Sequence, residues 1–127
     1  MRRIAAALAF LPMSALAETP MTGDEFDAYM TGKTLTFSAN GMPYGIEYYA
    51  PSRRVIWSFI DGDCVMGEWY EADGAICFVY ENDPEPKCWE VFRDPGGIRA
   101  EFLDGPGASV IYEVEESEPL ICDNMGA

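Results

Sequence analysis

From residue 33 onward the chain repeats one unit at a spacing of about ten residues: a run rich in β-branched and aromatic residues, then a turn. The runs cover 33–38, 44–50, 54–60, 64–71, 75–81, 87–93, 98–103 and 109–114. Between them stand Asn40-Gly41, Pro51-Ser52, Asp61-Gly62, Asp73-Gly74, Asn82-Asp83-Pro84, Asp94-Pro95-Gly96-Gly97 and Asp104-Gly105-Pro106-Gly107. These residues supply the positive φ or fixed φ that tight turns need. No connection is long enough for a crossover helix, so parallel pairing is disfavoured. The spacing therefore predicts an all-β fold, an antiparallel meander of about eight strands closed as a small up-and-down barrel or stacked as a sandwich.

Alternation within the runs supports one apolar face. Val55, Trp57 and Phe59 point one way, and Arg54, Ile56, Ser58 and Ile60 the other. Ile76, Phe78 and Tyr80 likewise oppose Cys77, Val79 and Glu81. Several strands are apolar on both faces, which fits cover by another segment or by a partner. One short helix precedes the strands. Thr22 and Glu25 form a capping-box pair, and Gly32 is a natural stop. Phe26, Tyr29 and Met30 make a narrow stripe that can pack on a larger body but cannot build a core of its own.

The N-terminus carries an export pattern. Met1-Arg2-Arg3 precedes an uncharged stretch from Ile4 to Leu11, and Ala15-Leu16-Ala17 offers a small-x-small cleavage site. The stretch is too short for a membrane span and is broken by Pro12. Residues 1–17 are thus expected to be a signal peptide and 18–127 a single β domain, periplasmic or secreted, with no membrane span after cleavage. Loss of Arg2 and Arg3 takes the net charge from −14 to −16. Such a surface repels phosphate backbones, so no nucleic-acid partner is expected. It attracts cations and basic proteins, the more so at low salt.

Four cysteines, Cys64, Cys77, Cys88 and Cys122, lie in the mature part. An even count in a small exported domain reads as two disulfides. With no CxxC pair and no His anywhere, neither a metal site nor a cofactor is expected. Of three possible pairings, Cys77–Cys88 is favoured because the two flank one hairpin. That leaves Cys64–Cys122 to tie the C-terminal tail to the sheet. In the chain-entropy view the two would contribute roughly 3 and 4 kcal/mol.

Asp61-Gly62-Asp63-Cys64, Gly67-Glu68-Trp69-Tyr70, Ile76-Cys77-Phe78-Val79-Tyr80 and Cys88-Trp89 together resemble a group of small exported alphaproteobacterial proteins. In that group a Trp-bearing strand precedes a Leu/Ile-Cys-Phe strand and a second Cys followed by an aromatic. The resemblance covers residues 32–123 and implies a small disulfide-bonded β domain; it brings no mechanism with it. The Gly67-x-Trp69 element is also similar to one in lipocalin-type barrels. There it sits on the first strand, here on about the fourth, and the mature chain is shorter than theirs.

Without His, Ser–His and Cys–His nucleophile pairs are impossible. A carboxylate pair such as Glu47 with Glu68 or Glu90 could perform glycoside hydrolysis, but among 22 acidic residues some pair always looks suitable. Asp61, Asp63, Asp73, Asp94 and Asp104 suit hairpin turns and lack EF-hand spacing. Trp57, Trp69 and Trp89 read as core filler. Tyr48 and Tyr49 are adjacent on a strand and must face opposite ways; with Arg53 and Arg54 in the next turn they form the candidate binding surface. The expected function is a non-catalytic, monomeric periplasmic β domain that binds an envelope partner, either a basic protein or a small ligand. The alternatives are an inhibitor of a basic envelope-active enzyme such as a lysozyme, and a carboxylate-based hydrolase.

Overall fold

The computed structural model describes Ala5 and residues 18–104 and 109–125. Apart from Ala5, the expected signal peptide lies outside the described residues. So do residues 105–108 of the last expected turn. The described residues form α1 (Gly23–Met30), then β1 (Thr34–Ala39), β2 (Met42–Ala50), β3 (Arg54–Phe59) and β4 (Cys64–Ala72). There follow β5 (Ala75–Tyr80), β6 (Asp83–Asp94), β7 (Gly97–Phe102) and β8 (Val110–Glu113), with a final 3-10 turn at Asp123–Met125.

Each strand pairs antiparallel with the next, and β8 returns to β1 through Phe37↔Glu113 and Ala39↔Ile111. The sheet is therefore a closed up-and-down barrel, and closure removes the edges that a sandwich would leave. Turn chemistry sets the register. Asn40-Gly41 and Asp73-Gly74 take positive φ at both residues, the two-residue hairpin turn that follows strand twist. Strand bounds differ from the expected ones by one or two residues except in β6, which starts at Asp83 and not at 87. There Tyr80↔Asp83 pairing shortens the expected Asn82-Asp83-Pro84 turn, and a register shift between Phe78 and Tyr80 absorbs the extra length.

One end of the barrel is closed by α1. Thr22 Oγ1 accepts from Glu25 N and Glu25 Oε1 accepts from Thr22 N, each at 3.1 Å, so the capping box forms as expected. Phe26 and Met30, each 1% exposed, enter the barrel base, where the Phe26 ring meets Trp69 edge-on at 4.8 Å and Tyr49 at 5.7 Å. Gly23 N donates to the Glu71 carboxylate and Gly32 N to the Tyr49 carbonyl, tying both helix ends to strands. The base is a packed apolar core of Leu35, Val55, Trp69, Ile76, Val91 and Ile98 around these two side chains.

The disulfides are Cys64–Cys122 and Cys77–Cys88, the favoured pairing. Cys77 and Cys88 are direct cross-strand neighbours on β5 and β6. Two such bonds belong to a protein that matures in an oxidising, extracytoplasmic compartment. Cys64 anchors a tail that crosses the outer wall. Thr36, Ile46, Ser58 and Cys64 face outward in one row across β1 to β4, and all four are buried. At one end of the row Val114 N donates to the Thr36 carbonyl and Glu118 N to Thr36 Oγ1. At the other end lie the disulfide and Asn124, whose side-chain amide bonds both backbone groups of Cys64 at 3.0 Å. The tail thus straps four strands together.

Candidate functional site

The half of the barrel away from α1 is not filled. A cavity of about 420 Å3 opens at the end where Tyr44, Phe59, Asn82, Asp83 and Phe102 form the rim. Its floor is Phe26 and Met30, and its walls are chiefly Phe37, Trp57, Phe78, Trp89, Val91 and Ile111. Eight strands leave an interior that either packs solid or holds one small ligand. Here small residues on the inner face decide for the second. An added Cβ on Gly45 would stand 2.2 Å from the Trp57 ring, and one on Gly67 would stand 2.7 Å from the Tyr80 ring. Both aromatic rings therefore lie back against glycine and leave the centre open.

Into this apolar space projects Glu47, from the middle of β2, 3% exposed and paired across the sheet with Leu35 and Trp57. Tyr80 Oη donates to Glu47 Oε2 at 2.6 Å, and Tyr49 supplies a second hydroxyl hydrogen bond. Burial pushes the Glu47 carboxyl up to about 7, although both tyrosine hydrogen bonds pull it down. Burial and then the Glu47 charge hold the Tyr49 and Tyr80 hydroxyls well above the ordinary phenol range, so both stay protonated donors. Among the described residues Glu47 has no ion-pair partner.

The rim is aromatic and apolar. Tyr44, Trp57 and Phe59 contact one another with ring centroids 5.4–5.6 Å apart, and Phe78 stacks on Tyr80 at 6.3 Å. At the same end Phe59 and Met42 are 55% and 69% exposed. Among the described residues lining the cavity, the one basic group is Lys87, which is held by Asp83 at 3.0 Å, with Glu85 and Asp104 nearby.

The four residues expected to form a binding surface are distributed over both sides of the wall. Tyr49 is inside, at the cavity floor, while Tyr48 faces outward. Arg53 adopts a left-handed turn conformation and lies over the Trp69 ring at 4.5 Å, reaching Asp24 at 3.5 Å and Asp27 at 3.9 Å of α1. It clamps the helix to the closed end. Arg54 is exposed on the outer wall beside Glu68. Glu68 and Glu90 alternate with inward Trp69 and Trp89, so they lie outside the barrel and the wall separates them from Glu47. Trp69 is core filler as expected, whereas Trp57 and Trp89 line the cavity.

The sequence offered Glu47 as half of a carboxylate pair and Tyr49 as part of a binding surface, but not their grouping with Tyr80. An acidic residue at the same strand parity as Gly45 and Tyr49 was the available clue. Among the described residues no cluster of His, Cys, Asp or Glu is placed to hold a metal, and no helix is long and apolar enough to cross a membrane. No family model, curated protein or solved structure matches the chain.

Proposed function

We propose that the mature chain is a periplasmic or secreted, non-catalytic barrel that binds a small, largely apolar ligand in its interior. The observation that carries this reading is the 420 Å3 cavity, open at one end and walled by aromatic side chains around a single buried carboxylate network. Ligand sites are typically roughly 300–1,000 Å3, apolar, with a few convergent polar groups. The clustered aromatic rim gives an apolar ligand a path from solvent to the floor. A role as inhibitor of a basic enzyme is supported by net charge alone, −14 over the whole chain, which points to no particular surface. A two-carboxylate hydrolase gains no support, because Glu68 and Glu90 lie across the wall from Glu47.

The test is titration of the oxidised mature protein with the uncharged dye N-phenyl-1-naphthylamine, followed by dye fluorescence. Saturable binding at one site per chain is expected, abolished by Ala100→Phe, which fills the wall of the cavity. Dye binding that is absent, or unchanged in the filled variant, would remove the ligand-binding reading.

A further inference from the structure

We propose that the cavity takes an organic cation: a protonated amine on an apolar body, with the Glu47 carboxylate as its counter-ion and Tyr44, Trp57 and Tyr80 as aromatic walls. This rests on the ligand-binding reading and narrows it to a chemical class.

The first ground is an electrostatic mismatch inside the barrel. Glu47 is almost fully buried, and its described partners are the neutral hydroxyls of Tyr80 and Tyr49. A carboxylate has about four acceptor positions, so two hydroxyl donors leave capacity for another donor. A buried charge is stabilised when a second, opposite charge joins it with good geometry. No described side chain provides that charge, and Glu47 lines the cavity. Burial alone already holds the group half-neutral near pH 7, as expected for an acid lacking its counter-charge.

The second ground is the surrounding wall. A cation gains from aromatic faces within about 6 Å, and tryptophan and tyrosine are the better ones. Trp57 is the cross-strand neighbour of Glu47, Tyr44 packs on Trp57 at 5.6 Å, and Tyr80 touches the carboxylate itself. An anionic ligand in the same place would meet Glu47 in a low-dielectric interior, where like charges repel strongly. A neutral ligand would leave the carboxylate uncompensated. The third ground is the approach. Asp83, Glu85 and Asp104 outnumber Lys87 around the mouth, and the chain as a whole carries −14, so the field draws cations toward the opening.

Three molecules of matched shape separate the possibilities: 4-phenylbutylamine, 4-phenylbutanol and 4-phenylbutanoate, each titrated by calorimetry at about pH 8, where Glu47 is ionised. The amine is expected to bind roughly 30-fold or more tighter than the alcohol, the penalty for leaving one charge of a buried pair unmatched. The butanoate is expected to bind most weakly. Glu47→Gln keeps the shape and removes the charge, so it should erase the preference for the amine over the alcohol. The wild-type comparison decides even where that variant does not fold. Alcohol or butanoate binding as tightly as the amine would overturn the cation assignment, as would a preference that survives in Glu47→Gln. Both results leave the ligand-binding reading standing. If none of the three binds, the cation assignment falls, and the dye titration then reports separately whether the cavity binds anything.

Discussion

Burial sets the behaviour of Glu47 more than its hydrogen bonds do. The carboxyl moves from its ordinary 4.5 to about 7 in the folded protein, although Tyr80 and Tyr49 both favour its ionised form. Between those two pH values the native state holds a proton that the unfolded chain has released. The stability this contributes is therefore complete below about 4.5 and is lost as pH rises through about 7. A shift of this size corresponds to about 3 kcal/mol. Urea unfolding of wild type and Glu47→Gln between about pH 5 and pH 8 should show the wild type losing about 2–3 kcal/mol more than the variant. Parallel curves would mean that Glu47 does not carry this proton. The same residue explains why the centre of the barrel stays open. Gly45 and Gly67 draw the Trp57 and Tyr80 rings against the wall, and Tyr80 is fixed there by the carboxylate.

At the scale of elements, the barrel is held by two additions of different kinds. Helix α1 fills the base with Phe26 and Met30, which is why a helix with so narrow an apolar stripe is stable at all. The tail from Val114 to Asn124 instead crosses the outside, over the row Thr36, Ile46, Ser58 and Cys64. It fastens the first four strands through the Cys64–Cys122 bond, which spans 58 residues of chain. Replacing both cysteines by serine should lower unfolding free energy by about 2–4 kcal/mol, less than the full loop-entropy value where the Thr36 and Asn124 contacts persist. Urea midpoints compared under oxidising conditions measure it. An unchanged midpoint would show that the strap contributes nothing to the barrel.

For the whole molecule, charge is the largest unbalanced quantity. Twenty-two acidic against eight basic side chains give a net −14, and the ion pairs around Arg99, with Glu18, Asp94 and Glu101, neutralise only a few of them. Self-repulsion of this kind is screened once the Debye length falls from about 30 Å at 0.01 M to about 10 Å at 0.1 M salt. The thermal midpoint should rise by about 4 °C or more over that interval, equivalent to about 1 kcal/mol for a domain of this size. A midpoint that falls with salt would show that specific ion pairs outweigh the net repulsion.

Strand number, turn positions and antiparallel order are local properties, written in residues such as Asn40-Gly41 and Asp73-Gly74 whose backbone preferences do not depend on distant contacts. The capping box and the hairpin disulfide are equally local, and they were legible for that reason. The orientation of β2 was not. Ile46 and Tyr48 look as suited to an interior as Gly45, Glu47 and Tyr49 do, yet Ile46 is buried on the outer face, in the row between Thr36 and Cys64 where the tail is tied down. Alternation reads burial, and burial by a segment more than sixty residues away in sequence leaves no mark on the strand itself. Closure of β8 onto β1 was open for the same kind of reason, since a barrel and a sandwich share the same strand pattern. The sequence by itself determined the elements and their order, and favoured one of three cysteine pairings. Only the tertiary structure decided that the sheet closes, that its centre stays open, and that Glu47, without a counter-charge among the described residues, faces that space, because each depends on which distant residues come to share one side of the wall.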